Sequence, residues 1–579
     1  MSIMNSKTIS RSGMARITAI LIAIGSFGTA FGLAGCTGEA VTTLTDASSV
    51  GFEVEYATED TDASWDAETA TTISLADSAT GISGNGASVS TASAGITTVT
   101  ISDAGTYVLS GSMSNGQIVI DADEDDLVRI VLSDTAVTNP AGSAIYEKQS
   151  EKTIITLEAG TANTFADGSS YALAEGEDEP DAAIFCEDDL TINGSGSLTV
   201  NGNYNNGIAS KDDLVIAGGT FDITAVNDAM RGRDSISVCG GDFTIEAGGD
   251  GLQSNNDEDV DKGWISIDGG TYDITAKNDG IQSETDLQVT SGNIAVTAGD
   301  DGLHAGSSLA VIGGIINISE SYEGIEGMFI DVTGGTVGVV SGDDGFNAAG
   351  GSDGSSEDGK AEAAASGSAE SYYIRIAGGS ITVDASGDGI DSNGSLYFDG
   401  GTVLVSGPTN NGNGALDYNG VCDITGGQLV IAGSSGMAQS PSDTSSQYSL
   451  TVCYAEIQTA GSKASLVDES GNTVLSFSPT KEYQSIIFSS QDLAEGGEYT
   501  LMSGDTKLAT ITLSDIVTRV SDDGSAVTGS MGGPGGMGGE PGGFGKPEGF
   551  DGTSRPEGPV RPDDSTVDMD DAAAAVSET

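Results

Sequence analysis

The stretch GGTYDITAKNDGIQSETDLQVT, residues 269–290, shows the whole of a phrase that recurs between about residues 195 and 433. Two Gly residues usually open each copy, two apolar residues then alternate with polar ones, and an acidic residue followed by Gly comes after them. The copies usually begin 22 residues apart, and their starts are Ser195, Gly218, Gly240, Gly269, Ser291, Gly313, Gly334, Gly378, Gly400 and Gly426. A repeat of this length predicts a solenoid with one coil for each copy.

The pattern inside one copy predicts two longer strands and one short strand. In the copy that begins at Gly218, Phe221 and Ile223 alternate with polar residues, Met230 stands alone, and Ile236 and Val238 alternate again. Equivalent apolar residues of successive coils would stack in columns inside the solenoid. We therefore predict an all-β fold in which a parallel β-helix spans residues 71–433.

The composition agrees with many short strands joined by tight turns. The 579 residues include 86 Gly, only 5% are aromatic, and long helical tracts are absent from the sequence. Two copies are longer than the rest, through NNDEDVDKG at 255–263 and a Gly/Ser-rich stretch at 350–371. We expect both insertions to lie between strands.

The formal net charge of -67, from 20 basic and 87 acidic residues, excludes nucleic acid as a partner, since that needs a basic surface. An acidic surface attracts cations instead. The alternative is that most of these carboxylates only keep the protein soluble.

The N-terminus has the layout of an export signal. Lys7, Arg11 and Arg16 precede an apolar run at 17–32, which is too short and Gly-rich for a membrane-spanning helix. Leu-Ala-Gly-Cys at 33–36 resembles the bacterial lipoprotein signal, in which the Cys is lipidated. We predict a signal peptide over 1–36 and a protein anchored to the membrane through Cys36, at the extracellular bacterial cell surface.

The remaining segments follow from composition. Residues 37–70 are acidic and rich in Ser, Thr and Ala, which is typical of a flexible linker. At 434–521 the repeat is lost but strand patterns persist, and we expect a C-terminal β cap over the open end of the solenoid. The Gly/Pro-rich acidic tail at 522–579 should be disordered.

The cysteines do not predict a metal site. Cys186, Cys239, Cys422 and Cys453 form no CxxC pair, and His304 is the single His of the chain. Free thiols and disulfides both remain open.

An acidic or amide residue precedes the Gly that follows the first strand of most copies. These residues are Asn206, Asp250, Asp279, Asp301, Glu323, Asp344, Asp388 and Asn413, with Asp228 at the same position before Ala229, and the acid is doubled at Asp300 and Asp343. Stacked carboxylates about 5 Å apart repel by about 3 kcal/mol at an effective dielectric near 20, and a bound cation would relieve this. Calcium suits such oxygen ligands. We predict a calcium site or sites among Asp228, Asp250, Asp279, Asp300, Asp301, Glu323, Asp343, Asp344 and Asp388.

A simpler explanation of the same pattern is turn chemistry. Asp-Gly and Asn-Gly are favourable turn dipeptides in which Gly takes a positive φ. This explains any single acid, but it explains less well why the acid recurs in so many copies.

A small basic group lies near the start of the acidic column. Lys211, Arg231 and Arg233 could grip the carboxylate of a uronic acid, and Tyr204 could stack on a sugar ring. The alternative is that the basic residues only neutralise the neighbouring acids Asp212, Asp213 and Asp234.

Three phrases, at 105–122, 182–238 and 476–504, carry a family resemblance. With the Gly-Gly and Asp-Gly coils, they resemble the bacterial carbohydrate-binding domain family of calcium-associated parallel β-helix proteins, over about residues 73–513. The resemblance implies a right-handed β-helix like that of the pectate lyases, and binding of plant-type or acidic polysaccharide with calcium. It does not imply catalysis. Asn206, Glu323 and Asn413 depart from the Asp-Gly pattern, so the acidic column could be interrupted.

Three functions compete. The first is a non-catalytic surface lectin, acting as a monomer, that binds an anionic glycan through polar and calcium-mediated contacts, because Trp65 and Trp264 alone cannot form a flat aromatic platform. Exposed Tyr204, Tyr272 or Tyr322 could add stacking.

The second function is a calcium-dependent polysaccharide lyase, with Lys211, Arg231 or Arg233 as the base beside Asp228 and Asp250. A single His excludes a Ser/His/Asp hydrolase, whereas a hydrolase with paired Asp residues stays open. The third function is a structural adhesin without a glycan ligand.

Overall fold

The computed structural model describes residues 51–527 apart from 93–94, 172, 174–175, 177 and 350–371. Its one helix in these ranges is a single turn, α1 (Thr58–Thr61), and all other regular elements are strands. The prediction of an all-β fold is confirmed.

The strands fall into three groups along the chain. The N-terminal coils contain β1 (Thr71–Leu75), β2 (Gly81–Ser83), β3 (Ala87–Thr91), β4 (Thr97–Ile101), β5 (Gly105–Met113), β6 (Gly116–Asp121), β7 (Leu127–Thr138), β8 (Ile145–Gln149), β9 (Lys152–Leu157) and β10 (Ala162–Ala166). The regular coils contain β11 (Ala182–Cys186), β12 (Asp189–Gly194), β13 (Ser197–Gly202), β14 (Asn206–Ser210), β15 (Asp213–Ala225), β16 (Met230–Gly232), β17 (Ser235–Ala247), β18 (Leu252–Ser254), β19 (Trp264–Ile267), β20 (Thr271–Ala276), β21 (Ile281–Ser283), β22 (Asp286–Val289), β23 (Asn293–Thr297), β24 (Leu303–Val311), β25 (Ile315–Glu320), β26 (Ile325–Val332), β27 (Thr336–Ser341), β28 (Phe346–Ala348), β29 (Tyr373–Ile376), β30 (Ser380–Ala385), β31 (Ile390–Ser392), β32 (Ser395–Phe398), β33 (Thr402–Ser406), β34 (Asp417–Tyr418), β35 (Cys422–Ile424) and β36 (Gln428–Gly433). The C-terminal part contains β37 (Ser449–Gln458), β38 (Ala464–Val467), β39 (Thr473–Phe477), β40 (Tyr483–Ser490), β41 (Glu498–Ser503), β42 (Thr506–Thr512) and β43 (Val517–Ser521).

Successive coils pair in parallel along three faces. The strand after Gly-Gly forms the first sheet, as in β20, which pairs in parallel with β17 and β23. The three-residue strand forms the short-strand sheet, as in β21, which pairs with β18 and β24. The last strand of each coil forms the third sheet, as in β22, which pairs with β19 and β24. The core is therefore a parallel β-solenoid, as the repeat predicts.

Apolar columns fill the interior of the solenoid. The residues picked out by alternation in the copy at Gly218, namely Phe221, Ile223, Met230, Ile236 and Val238, are each at most 1% exposed. Because each strand pairs in register with its counterpart, like residues lie above like residues.

One aromatic stack shows how this registration works. Phe221, Phe243 and Tyr272 stack with ring centroids 4.8 and 4.6 Å apart and planes 8° from parallel. Tyr272 is only 1% exposed, so the expectation that its ring could stack on a ligand was wrong. Its position in the alternation, equivalent to Phe243, places the ring inside.

The second Gly of the Gly-Gly pair makes the turn into each first-sheet strand. Gly335, for example, has a φ of 80°, and a Cβ there would lie 2.9 Å from the Gly313 carbonyl oxygen of the preceding coil. Gly is needed here both for the backbone conformation and for the close approach of the coils.

The insertion at 255–263 lies between β18 and β19, as expected, whereas the insertion at 350–371 lies outside the described residues. After β36 the pairing changes, because β40 lies antiparallel to β36. Strands β38, β39, β41 and β42 then form a separate four-stranded antiparallel sheet, whose apolar residues pack in one cluster with those of β36, β37 and β40. Residues 434–521 thus cover the last coil with mostly antiparallel strands.

The C-terminal tail differs from expectation at its start. Residues 522–527 of the predicted disordered tail fold back, because Val527 N–H donates to the Arg519 carbonyl. The tail from residue 528 and the signal peptide with Cys36 lie outside the described residues. No helix among the described residues has the length and hydropathy needed to span a membrane.

The prediction of a flexible linker was wrong for residues 51–62, which we call the strap. The strap lies along the outside of the third sheet, and its Asp60 is only 3% exposed. Asp60 accepts from Lys152 Nζ at 3.0 Å and from the Thr191 hydroxyl at 2.6 Å, and Asn193 donates to its carbonyl. The acidic composition of this segment suggested flexibility, but one of its acids, Asp60, pairs with the half-buried Lys152.

Replacing Asp60 with Asn should release the strap, because the nearly buried Lys152 would lose its charged partner. A change of this kind costs about 3 kcal/mol for a buried ion pair. We expect a lower thermal midpoint and faster hydrogen exchange in residues 51–62. Glu59→Gln, which changes an exposed carboxylate on the same turn, should leave both unchanged. Equal exchange in the two variants would contradict the assigned role of Asp60.

Candidate functional site

The acidic column lies at the turn between the first sheet and the short-strand sheet. Asp250, for example, follows β17 and comes two residues before β18. Its members from Asn206 to Glu323 are buried, with Asp228 2% exposed, Asp250 4%, Asp301 2% and Glu323 2%, whereas Asp344 and Asp388 are half-buried. Burial of so many carboxylates requires specific partners.

The first partners are backbone N–H groups of the next coil. Asp250 N–H donates to Asp228 Oδ1 at 3.0 Å, Asp279 N–H donates to Asp250 Oδ1 at 3.0 Å, and Asp301 N–H donates to Asp279 Oδ1 at 2.8 Å. Asn206 begins this ladder by accepting from Asp228 N–H at 3.1 Å. An amide therefore fills the same structural role as a carboxylate.

The Gly that follows most of these acids is needed for packing and not for a positive φ, so the turn-dipeptide explanation was wrong in its mechanism; after Asp228 this place is taken by Ala229. Gly251 and Gly280 are not among the residues with positive φ. A Cβ on Gly251 would lie 2.4 Å from the Gly280 carbonyl oxygen and 2.6 Å from Ile274 Cγ2. The neighbouring coil leaves no room for a side chain.

A second column, which the sequence analysis did not identify, faces the acids from the middle of the short strands. In register from one coil to the next, it consists of Arg231, Gln253, Gln282, His304, Glu326, Asn347, Asp391 and Asp417. Most of these residues come three positions after a ladder residue, and that spacing is the signal that could have revealed them.

The character of this second column changes along the solenoid. Near its start the residues donate: Gln253 Nε2 donates to Asp250 Oδ2 at 2.6 Å and to Gln282 Oε1 at 3.0 Å. From Glu326 onward the column also contains carboxylates: Glu326 and Asp391 face acids of the ladder, whereas Asn347 between them donates to Glu323. The excess of negative charge is therefore concentrated between His304 and Asp417.

Three groups of side chains bring possible metal ligands within 4.8 Å of one another among the described residues. They are Asp279, Asp301 and His304; Asp301, Glu323 and Glu326; and Asp344, Asp388 and Asp391. We call the second the buried triad and the third the open triad, because all members of the third are half-buried and reach solvent. Both triads offer oxygen ligands only.

The buried triad contains an interruption of the ladder. Within the described part of the chain, no donor reaches the buried Asp301 Oδ1, which is the atom that would accept from the next coil. Glu323, the next ladder residue, carries a longer side chain, and its Oε2 accepts from Asn347 Nδ2 at 2.7 Å. His304 Nδ1 lies 3.0 Å from both Asp301 Oδ2 and Glu326 Oε2.

The protonation equilibria reflect this crowding of buried acids. Burial and the neighbouring carboxylates raise the pKa of Asp250 to about 8, of Glu323 to about 10 and of Asp344 to about 9. Burial lowers the pKa of His304, but its contacts with Asp301 and Glu326 outweigh that effect and raise it well above the usual value. Without a cation, protons and the imidazolium balance part of the charge.

The predicted metal ligands thus divide into two sets. Asp279, Asp301, Glu323, Asp344 and Asp388 lie in the three groups. Asp228 and Asp250 belong to the ladder alone, whereas Asp300 and Asp343 precede ladder residues and belong to none of the groups among the described residues. His304, Glu326 and Asp391 also lie in these groups, and the sequence pattern did not predict them as metal ligands.

The predicted basic site is largely occupied by intramolecular ion pairs. Arg231 Nη2 donates to both carboxylate oxygens of Asp181 at 3.0 and 2.9 Å. Lys211 Nζ lies 2.5 Å from Glu179 and 3.2 Å from Glu187.

Arg233 is paired in the same way, since its Nη2 lies 2.8 Å from Glu258. The alternative that these three residues neutralise Asp212, Asp213 and Asp234 was also wrong in its partners, since Lys262 is the residue that pairs with Asp234.

Tyr204 stacks on Tyr171, with ring centroids 4.2 Å apart and planes 17° from parallel. Its ring is half-buried, so one neighbour already covers much of it. Cys186, Cys239, Cys422 and Cys453 form no disulfide among the described residues; Cys186 and Cys422 are buried, and Cys239 and Cys453 are half-buried.

Comparison with known proteins bears on this arrangement. A solved structure of the polysaccharide lyase-like protein from C. thermocellum, a gadolinium derivative, is similar at 33% identity and a TM-score of 0.39, over 43% of this chain and 96% of that chain. A carbohydrate-binding domain-containing protein of Acetivibrio thermocellus is 39% identical over 128 residues, 22% of this chain. The match spans 45% of the length of that relative.

The family model described as carbohydrate-binding domain-containing protein matches residues 94–345, which contain the ladder from Asn206 to Asp344. The resemblance seen in the sequence to a carbohydrate-binding domain-containing family is thereby confirmed for residues 94–345.

Proposed function

We propose that this protein is a non-catalytic, calcium-dependent binder of acidic polysaccharide, anchored at the bacterial cell surface through Cys36. The match of residues 94–345 to a carbohydrate-binding family carries the first part of the proposal. The two all-carboxylate triads support the second part. The export signal and Leu-Ala-Gly-Cys at 33–36 support the location.

We also propose that the solenoid is a right-handed parallel β-helix. Each pair of parallel strands in one sheet is joined by a connection that passes through the other two sheets, as between β20 and β23. Connections between parallel strands of a sheet are right-handed in about 98% of cases, because the strand twist favours that hand.

The buried triad fits calcium in charge and ligand type. Calcium takes six to eight oxygen ligands in a tolerant geometry. Asp301, Glu323 and Glu326 would supply three carboxylates within 4.8 Å of one another, including the Asp301 Oδ1 atom that no donor reaches in the described chain. A bound ion would neutralise these acids, and the neighbouring His304 is the only cationic group within contact of Asp301 and Glu326 in the described residues.

The open triad fits the ligand-binding part of the proposal. Asp344, Asp388 and Asp391 are half-buried, so an ion held there would face solvent on one side. Three protein carboxylates leave further coordination positions for oxygens from outside the protein. The carboxylate of a uronic acid has the charge and the ligand atoms to fill them.

The lyase alternative is less well supported. A general base must be deprotonated near neutral pH. Burial lowers the pKa of Lys211, but Glu179 and Glu187 outweigh this and the net pKa is raised. The pKa of Arg233 is also raised, chiefly by its hydrogen bond with Glu258. These residues are held as cations and paired, which suits structure better than proton abstraction.

Binding should require calcium and should leave the polysaccharide intact. We expect the purified body, residues 37–579, to be retained on immobilised polygalacturonate with calcium and released by a chelator. Asp388→Asn should weaken retention at least tenfold, because it removes one ligand of the open triad. Appearance of ultraviolet-absorbing unsaturated products would contradict a purely binding role, and retention that persists with the chelator would contradict the role of calcium.

Calcium should stabilise the fold through Asp301. At a concentration 100 times its Kd, a bound ion adds about 2.7 kcal/mol to the free energy of unfolding. Asp301→Asn should remove most of the calcium-induced rise in thermal midpoint. Asp228→Asn is the matched control, since Asn206 shows that an amide sustains the ladder, and Asp228 lies outside both triads. Equal calcium responses in the two variants would contradict the assignment.

The chelated protein should become less stable as the pH rises. The pKa values of Asp250, Asp344 and Glu323 are raised in the folded state to about 8, 9 and 10. Folding therefore favours their protonated forms, and this stability is present below about pH 4 and is lost as the pH rises through about 8 to 10. Thermal midpoints measured from pH 6 to 10 should fall, and calcium should flatten the fall. A midpoint that rises with pH in chelator would contradict this prediction.

A further inference from the structure

The strap lies on one part of the outer face of the third sheet. In the coils before Gly313, the strap lies on it lengthwise. The strap begins at Gly51, where an added Cβ would lie 2.7 Å from Ile312 Cδ1. Beyond Ile312 the same face continues through β26, β29 and β32.

The covered part shows what the face can hold. Phe52 N–H donates to Gln288 Oε1 at 2.8 Å, and Gln288 Nε2 donates back to the Phe52 carbonyl at 2.9 Å. The Phe52 ring meets Trp264 edge-on with centroids 5.1 Å apart, and the Tyr56 hydroxyl donates to Asp268 at 2.7 Å. The strap is thus held by one aromatic residue of the face, Trp264, and by polar side chains such as Gln288, whose row along the sheet we call the polar column.

Aromatic side chains return to the row of Trp264 beyond the strap. In strand register this row continues through Asp286, Ser308, Phe329 and Tyr373, of which only the last two are aromatic.

The polar column continues in the same way. Gln288 is followed by Ala310, Asp331, Arg375 and Tyr397. Beyond the strap, aromatic and polar side chains of the kinds that hold the strap therefore lie on the same face.

The groups beyond the strap are already ordered by one another. The rings of Phe329 and Tyr373 have centroids 5.3 Å apart, and those of Tyr373 and Tyr397 are 6.3 Å apart. The Tyr373 hydroxyl donates to Asp331 at 2.9 Å, and Arg375 Nε donates to Asp399 at 2.7 Å. All three rings and Arg375 are half-buried, so each still presents part of its surface to solvent.

We propose that this face, formed by Phe329, Asp331, Tyr373, Arg375, Tyr397 and Asp399, is a second glycan-binding site that takes one extended, neutral polysaccharide chain lengthwise. The proposal rests on the carbohydrate-binding part of the proposed function, but it is independent of calcium. It also adds aromatic contacts that Trp65 and Trp264 do not supply, from three rings of separate coils whose planes are inclined by 41° and 68° to one another.

The chemistry of the face favours neutral sugars. Aromatic rings offer flat apolar area to the C–H faces of pyranose rings, while carboxylates and a guanidinium offer directed hydrogen bonds to pairs of hydroxyls. Two carboxylates against one guanidinium leave the face negative. An anionic glycan would be repelled here, whereas neutral hydroxyls would not.

Affinity electrophoresis in gels containing hydroxyethylcellulose or glucomannan, with a chelator present, tests the site. We expect retardation of the wild-type body in at least one of the two gels. The double variant Phe329→Ala/Tyr397→Ala should lose at least tenfold in apparent affinity, and Arg375→Lys should lose severalfold, because Lys keeps the charge but not the planar fork. Ile457→Ala is the control, as Ile457 is 60% exposed and lies on β37, outside this face.

The outcomes separate this site from the calcium site. If the variants lose neutral-glycan binding while they keep their thermal midpoint and calcium-dependent retention on polygalacturonate, the proposal stands. If no wild-type retardation occurs, or the double variant is retarded like wild type, the proposal is overturned. If the wild-type protein is retarded by a neutral glycan but is not retained on polygalacturonate with calcium, the proposed function is contradicted and this face is still supported.

Discussion

The hydrogen-bonded registration of one coil on the next is the constraint from which the other features follow. Parallel strands about 4.8 Å apart place each residue directly above its equivalent in the neighbouring coil. For apolar residues this is favourable, as the stacked rings of Phe221 and Phe243 show. For acids it brings like charges together, and Asp228, Asp250 and Asp279 can share a column only because each accepts from a backbone N–H of the next coil. The solenoid therefore creates a charged column as a by-product of its own repeat.

Function is expected where this regularity is broken. The ladder bond fails at Asp301, where Glu replaces Asp in the next coil, and the second column changes from donors to acceptors at His304 and Glu326. Both changes fall in the same place and leave acids without enough donors. A bound cation would neutralise the acids there, whereas Asp228 accepts a hydrogen bond from the backbone N–H of Asp250 in the next coil.

The repeat allowed the solenoid, the inward columns and the ladder positions to be predicted, because each depends on spacing alone. The facing column was not predictable in the same way, since Arg231, Gln253 and His304 share no residue type. The strap was missed because burial of Asp60 depends on Lys152, which lies 92 positions away in the chain. The aromatic face was missed because Phe329 and Tyr373 are separated by an insertion and become neighbours only through strand register.

The central claim is that the interruption of the ladder at Asp301 is a cation site. The most direct measurement is anomalous difference density from crystals grown with calcium. The account predicts a peak bounded by carboxylate oxygens of Asp301, Glu323 and Glu326, with Asp301 Oδ1 among its ligands. Well-ordered carboxylates at saturating calcium with no peak between them would contradict it.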